Sequence, residues 1–293
     1  MNKIIVIVGP TCVGKTKLSV ELAKALNGEV INADSTQIYK GLNIATAKVT
    51  EEEKEGIPHH LFDVEELTTD YSIYHYQKDC RNCIDTIMKK QKTPILVGGT
   101  GLYIKSALYD YQFEDETVVE IDGTTEELYQ QLMNVDPNSE IHPNNRKRIL
   151  RSLMYYKQHH QPMSEKEKAE EPIYDVLFIG LTTDREVLYE RINKRVYTMM
   201  EQGLLEEAKE IYDSNIRTKA VLTPIGYKEF FPYFEQQCTL EEAINTIQQN
   251  SRRYAKRQFT WFHHQIPVHW FSVHYEDFNK TVNEVLNYIK QEA

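Results

Sequence analysis

The stretch Lys3-Ile4-Ile5-Val6-Ile7-Val8-Gly9-Pro10-Thr11-Cys12-Val13-Gly14-Lys15-Thr16 decides the fold. Lys3–Val8 is a β-branched run of the kind that forms a strand buried on both faces. Gly9–Thr16 is G-x-x-x-x-G-K-[ST], standing between that strand and a helical pattern, which is the context the motif requires. Its glycines let backbone N–H groups converge on phosphate oxygens, Lys15 adds a point charge and the following helix adds its dipole. Gly9, Pro10, Thr11, Cys12, Val13, Gly14, Lys15 and Thr16 are therefore expected to bind a polyphosphate. The Thr16 hydroxyl can hold Mg²⁺, the expected cofactor. The motif leaves open which polyphosphate is bound.

Working outward, KTKLSVELAKALN has helical spacing at Leu18, Leu22 and Leu26, and Gly28 is expected to end the helix. Glu29–Ala33 reads as a second strand and ILVGG, after Lys92–Pro94, as a third. Asp175–Leu181 reads as a fourth strand, followed by a helix capped by Thr183 with Glu186 in a capping box. Val268–Val273 closes the series. Strands alternating with helices predict an α/β fold, a doubly wound parallel sheet of the P-loop NTPase type. The stretch 113–172 breaks the rhythm: it opens acidic, then turns helical and basic, with no convincing strand. It is read as an inserted α-helical domain, the core being 1–112 with 173–293.

The chain has 293 residues, is 41% hydrophobic and 27% charged, and so can bury a core. No apolar run approaches the roughly 18 residues of a membrane span, and the apolar start is interrupted by Gly9-Pro10. A cytoplasmic protein, a monomer with no membrane partner, is expected. Cys80 and Cys83 form a single C-x-x-C in a helical stretch and read as ordinary helix cysteines. The pairs His59-His60 and His263-His264 have no partner at ligand spacing and give no metal site. The net charge of −10 argues against a polyanionic partner, yet residues 141–164 and 243–275 contain no acid. Arg146, Lys147, Arg148, Arg151 and Lys157 fall in the first island, and Arg252, Arg253, Lys256 and Arg257 in the second. Local field, not total charge, decides where a polyanion docks, so nucleic acid stays open.

Three features bear on the chemistry. The third strand runs into Gly98-Gly99-Thr100-Gly101, with no metal-organising carboxylate of the usual NTPase kind. Thr100 can donate to a phosphate or a leaving oxygen, or simply end a glycine turn. Asp34 follows the second strand and should share a crevice with the phosphate loop, because strand carboxyl ends meet there. Its charge suits it to accept a proton or a metal, not to bind phosphate; a helix N-cap is the alternative. Ser35 and Gln37 offer hydrogen bonds to a base edge. In Gln249–His264, Arg253, Lys256, Arg257 and Thr260 share one helical face and Ala255, Phe259 and Phe262 another. Such a cationic stripe can grip RNA phosphates or a diphosphate, or lie idle on a surface helix.

The phosphate loop together with Asp34-Ser35-Thr36-Gln37-Ile38-Tyr39, Ile44-Ala45-Thr46-Ala47-Lys48, Gly56-Ile57-Pro58-His59-His60 and Gly98-Gly99-Thr100-Gly101-Leu102-Tyr103 resembles the bacterial tRNA dimethylallyltransferases (tRNA isopentenyltransferases). The likeness continues through Ile141-His142-Pro143-Asn144, Gln202-Gly203-Leu204-Leu205-Glu206-Glu207, Ile225-Gly226-Tyr227-Lys228-Glu229 and Arg252–Gln258, in order, over nearly the whole chain. Thr223 stands where relatives carry Gln or Arg, and Asn145 where they often carry Asp.

The resemblance implies transfer of a dimethylallyl group from its diphosphate to N6 of adenosine 37 in tRNA, with the phosphate loop holding a prenyl diphosphate and not ATP. It further implies Asp34 as general base, with Lys15 and Thr100 as the other catalytic groups, Thr100 contacting the diphosphate. Asp34, Ser35, Thr36, Gln37 and Thr100 would read the tRNA, and Lys147, Arg148 and Arg151, with Arg253 and Lys256, would contact it. The insertion would swing over the anticodon stem. The alternative from the residues alone is a P-loop kinase acting on a small molecule or nucleotide.

Overall fold

The computed structural model describes residues 3–113, 121–166 and 171–292. Elements run in the order β1 (Ile4–Val8), α1 (Lys15–Ala25), β2 (Gly28–Asn32), α2 (Glu51–Lys54), β3 (His59–His60), α3 (Ile73–Lys89), β4 (Thr93–Val97) and α4 (Gly101–Leu108). They continue with α5 (Thr125–Val135), α6 (Arg146–His159), β5 (Val176–Thr182), α7 (Arg185–Glu201), α8 (Leu204–Asp213), α9 (Lys219–Leu222), α10 (Phe231–Phe234), α11 (Leu240–Gln265), β6 (His269–Ser272) and α12 (Phe278–Gln291). The chain divides into two compact units, Met1–Tyr109 with Pro172–Ala293, and Asp110–Glu171. The acidic opening of the insertion at 114–120, and 167–170, lie outside the described residues.

In the first unit six strands form one parallel sheet ordered β3-β2-β4-β1-β5-β6. Ile4 to Val8 are fully buried, as a central strand covered by helices on both faces requires. Leu18 and Leu22 of α1 join Ile5, Ile7, Ile95 and Ile179 in the main core. Because β1 lies between β4 and β5, and β2 beside β4, the loops leaving β1, β2 and β4 emerge next to one another. This is the α/β fold the strand–helix alternation predicts. The second unit holds α5 and α6, packed through Leu128, Leu132, Ile149 and Leu153.

Several boundaries differ from the expectation. The first helix ends at Ala25, with Asn27 in the left-handed region (φ 50°), and Gly28 opens β2 instead of closing the helix. A Cβ there would lie 2.9 Å from the Thr93 carbonyl oxygen, so the glycine serves the close β2–β4 approach. The residue before α7 is Asp184, one later than expected, and no side chain caps that helix. The two-residue β3 carries no β-branched signal to announce it. Cys80 is buried in α3, and burial pushes its thiol up to about 12, leaving it an inert core thiol. Among the described residues no helix is long and apolar enough to cross a membrane.

One buried carboxylate ties the sheet edge together. Glu29, only 2% exposed, accepts from Lys92 at 2.9 Å and Lys90 at 3.1 Å, and lies 2.8 Å from His60 Nε2. Burial opposes its ionisation, but these partners prevail and hold the carboxyl at about 2 instead of 4.5. A depressed carboxyl contributes stability that is present above its unfolded value and lost as pH falls through its folded one. Glu29→Gln should therefore lower stability by roughly 1–3 kcal/mol at pH 7, the part-exposed lysines limiting the loss. In urea unfolding the gap to wild type should close as pH falls from 4.5 towards 2. A gap of equal size at pH 7 and pH 3 would assign the effect to packing instead.

Candidate functional site

The phosphate loop is shaped by backbone that few side chains tolerate. Gly9 sits at φ 141°, and a Cβ there would meet the Leu181 carbonyl oxygen at 2.5 Å. Gly14, the N-cap of α1, is left-handed at φ 89°, and a Cβ there would strike the Phe278 ring at 2.8 Å. Cys12 is held at φ 69°. The Lys15 ammonium donates to the carbonyls of Gly9 at 3.0 Å and Pro10 at 2.8 Å. Burial lowers it to about 8; the Asp34 carboxylate opposes that shift, while Arg195 adds to it.

Two arginines one turn apart on α7 brace the loop from outside. Arg195 donates to Thr11 Oγ1 at 3.0 Å and lies 3.5 Å from Cys12 Sγ. Arg191 donates to the Cys12 carbonyl at 3.2 Å, its guanidinium 3.8 Å from the centre of the Tyr275 ring. From the other side Gln258 of α11 accepts the Thr11 N–H at 3.0 Å and donates to the Gly99 carbonyl at 3.1 Å.

After β2 the chain turns at Asp34. Its Oδ1 accepts the Thr36 N–H at 3.0 Å and the Thr36 hydroxyl at 2.7 Å, an Asx turn. The alternative of a helix N-cap does not hold: no helix follows Asp34, and this oxygen fastens a turn instead. Among the described residues Oδ2 has no hydrogen-bond partner; it lies 3.7 Å from where a Cβ on Gly99 would stand. Asn32 locks the turn, accepting the Asp34 N–H at 2.8 Å and donating to the Asp34 carbonyl at 3.0 Å. Thr100 is the N-cap residue of α4, yet its hydroxyl does not cap the helix. It accepts the Ser35 N–H at 3.0 Å and donates to Ser35 Oγ at 3.2 Å, joining the loop after β4 to the Asp34 turn. Gln37 donates to the Thr46 and Ala47 carbonyls at 2.9 and 3.2 Å.

A cleft of 1320 Å³ is lined by Thr11, Cys12, Gly14, Lys15 and Thr16 and by Asp34, Ser35, Thr36, Gln37 and Thr100. Arg257 lines the same cleft, whereas Arg253 and Lys256 are exposed on α11. The expected apolar face of that helix needs correction: Ala255 and Phe262 are buried, but Phe259 is 36% exposed and stacks on His263. Gln258 completes the buried stripe in its place, being 5% exposed. Lys147, Arg148 and Arg151 are exposed in the second unit, on α6, whose N-cap Asn145 accepts the Arg148 N–H at 3.3 Å. Gln258, Arg191 and Arg195 are residues of the site to which the sequence alone assigned no role. Their signals were a glutamine at i+3 from Ala255 on a buried stripe, and two arginines at i, i+4.

No protein cage for a metal exists here, since no group of three His, Cys, Asp or Glu among the described residues could hold one. A hydroxyl such as that of Thr16, beside bound phosphate, does fit Mg²⁺, which keeps most of its ligands from water and substrate.

Residues 37–265 match the family model described as IPP transferase. The chain is 50% identical over 300 residues to the tRNA dimethylallyltransferase of Anoxybacillus flavithermus, covering 99% of this chain and 96% of that protein. It is 48% identical over 303 residues to its counterpart in Bacillus mycoides, covering 99% and 95%. Among solved structures it is similar to the full-length tRNA isopentenylpyrophosphate transferase of Bacillus halodurans, with TM-score 0.78 and 42% identity over 99% of this chain and 96% of that one. A eukaryotic dimethylallyltransferase acting on tRNA aligns with TM-score 0.79 and 32% identity over 92% of this chain and 73% of that one.

The Gln258 tie can be cut with little change of volume. Gln258→Leu leaves the Thr11 N–H and Gly99 carbonyl unpaired, which should cost about 1–3 kcal/mol of unfolding stability. Calorimetry should show inorganic diphosphate binding weakened about tenfold, because the phosphate loop loses its brace. A destabilised protein with wild-type diphosphate affinity would make the tie purely structural.

Proposed function

Since the chain belongs to the IPP transferase family, we propose that it transfers a dimethylallyl group from dimethylallyl diphosphate to N6 of adenosine 37 in tRNA, releasing diphosphate. The observation that carries the reading is that an unpartnered carboxylate oxygen of Asp34 and the ammonium of Lys15 line one cleft. The first suits an acceptor that must lose a proton, the second a leaving group that gains negative charge. A phosphoryl-transfer reading would want a metal-organising carboxylate after β4, where Gly98, Gly99 and Thr100 stand instead.

In this mechanism the N–H groups of Cys12–Thr16 and the Lys15 ammonium hold the diphosphate. They stabilise it most as the allylic C–O bond breaks, because charge then grows on the bridging oxygen. Thr16 would hold Mg²⁺, which supplies neutralising charge to the diphosphate. An exocyclic adenine amine is a poor nucleophile, its lone pair delocalised into the ring. Asp34 Oδ2 accepts the N6 proton as the C–N bond forms, while Oδ1 stays bonded to Thr36 and keeps the carboxylate aimed. Thr100 holds the Asp34 turn through Ser35; Ser35 Oγ would meet the base edge, and Gln37, its amide nitrogen committed to the Thr46 and Ala47 carbonyls, would offer only Oε1. Adenosine 37 must leave its stack to reach this cleft, at a cost of a few kcal/mol that contacts elsewhere offset. Lys147, Arg148 and Arg151 on α6, and Arg253 and Lys256 on α11, supply those contacts to phosphates. The protein works in the cytoplasm as a monomer.

Incubation with unmodified tRNA and dimethylallyl diphosphate, followed by nucleoside analysis, tests the activity. The prenyl donor should also raise Tm more than ATP at equal concentration; the reverse order would favour the kinase reading. Asp34→Asn keeps the side-chain size and removes the base, so kcat should fall by about 10²–10⁴ with tRNA affinity little changed. A full single-turnover rate in that variant would remove Asp34 from the mechanism. Arg148→Ala/Arg151→Ala should weaken binding across tRNAs of different sequence and make the salt dependence shallower by roughly one unit per lost contact. Equal slopes for wild type and variant would leave these arginines as solvated surface.

A further inference from the structure

Three sequence blocks take no part in the chemistry above: Ile44–Lys48, Gln202–Glu207 and Ile225–Glu229. The fold brings them together at Glu207, near the start of α8. Its carboxylate accepts three successive backbone N–H groups: Asn43 at 3.1 Å, Ile44 at 3.0 Å to each oxygen, and Ala45 at 3.3 Å. Successive N–H groups converging on one point form an anion-binding nest, here filled by the protein's own carboxylate. The fully buried Tyr227 donates its hydroxyl to the same carboxylate at 2.7 Å. Burial and the neighbouring carboxylate push that phenol well above its ordinary value, so it stays a donor.

The turn carrying Tyr227 is itself fastened. Gly226 is at φ 118°, and a Cβ there would come within 2.9 Å of the Ala45 side chain, so the turn abuts the loop. Behind it Glu229, 7% exposed, accepts the Gly226 N–H at 2.9 Å and the Asn250 amide at 3.0 Å. At its other end the 43–47 loop gives the carbonyls of Thr46 and Ala47 to Gln37, whose N–H bonds the Asp34 carbonyl at 3.3 Å. An unbroken set of hydrogen bonds thus runs from α8 through the loop to the turn that bears Asp34. Asn43 to Thr50 line the cleft along the way.

We propose that Glu207 is a positioning residue for the transfer reaction, its carboxylate fixing the Asn43–Ala47 loop and, through Gln37, the turn that presents Asp34 to the acceptor base. This rests on the prenyl-transfer reading above. Glu207 does not line the cleft, and its hydrogen-bond partners among the described residues include none of Gly9–Thr16. Its loss therefore acts on the acceptor side and spares the donor side.

The test compares wild type, Glu207→Gln and Tyr227→Phe in steady-state transfer, with amide hydrogen exchange at Asn43, Ile44 and Ala45. Gln turns one acceptor oxygen into a donor facing N–H groups. Glu207→Gln should lower kcat about tenfold or more and leave KM for dimethylallyl diphosphate within twofold. Exchange at the three amides should rise about tenfold. Tyr227→Phe removes one bond of the set and should lower kcat about threefold. A Gln variant with kcat within twofold of wild type, or with unaltered exchange, overturns the proposal. So does activity that falls only in proportion to the folded fraction seen by circular dichroism. If the Gln variant does not fold, a folded Tyr227→Phe protein with wild-type kcat overturns it equally. A wild type that transfers no prenyl group would instead bring down the underlying reading, and this proposal with it.

Discussion

The carboxamide of Gln258 is the contact on which the geometry of the site depends. It accepts from the loop after β1 and donates to the loop after β4, two neighbouring strands of the sheet, and so registers the long helix α11 against both. Leaving either backbone group unpaired in a buried place would cost more than the bond itself contributes, which makes the register selective. Gly99 is the other half of the device, because a Cβ there would stand 2.0 Å from the Gln258 amide nitrogen. Trp261, one turn further along α11, repeats the logic: a Cβ on Gly101 would fall 2.1 Å from its ring. Glycines in the loop after β4 let a helix lie against backbone where a side chain would otherwise intervene.

Charge is organised on the same scale. A chain with a net charge of −10 offers an anion-binding pocket by massing cations locally, with Lys15, Arg191 and Arg195 around one loop. Asp34 stands close enough to be felt by Lys15 yet is aimed by Thr36 and Asn32, so its position does not depend on an ion pair. Acid and cation therefore hold separate stations in one cleft instead of neutralising each other. This separation is what proton acceptance and leaving-group stabilisation require of two groups that serve one reaction.

The strands β1, β2, β4 and β5 were legible as apolar runs rich in β-branched residues, whereas the His-His pair of β3 was not; the phosphate loop was legible because glycine, lysine and threonine at fixed spacing have few other uses. Asp34 was legible from its place after β2. Gln258 was hidden by a helical-face assignment that took Phe259 as inward; the face turns on one residue, and only packing against Gly99 decides it. The nest around Glu207 was beyond reading, since its donors are backbone groups some 160 positions away and any residue type supplies an N–H. Thr100 was read for its hydroxyl, which is used, but on Ser35: it accepts the backbone N–H, a group that side-chain patterns do not encode, and donates to Oγ. Boundaries shifted at Gly28 and Asp184, where tertiary contacts outweigh local capping preference.

Chain entry to and exit from residues 110–171 are held side by side: Tyr109 and Pro172 form an antiparallel bridge, and the Ile173 N–H bonds the Leu108 carbonyl at 2.8 Å. This bears on the order of assembly. The chain between the paired strands β1 and β5 contains the whole insertion, and closing so long a flexible segment would be entropically costly. A segment that first gathers its own helices around Leu128, Leu132, Ile149 and Leu153, and whose two ends meet at one rung, behaves as a much shorter tether. The effective contact order of the sheet is then set by the core alone, and the insertion can vary in length without slowing the pairing on which the cleft is built.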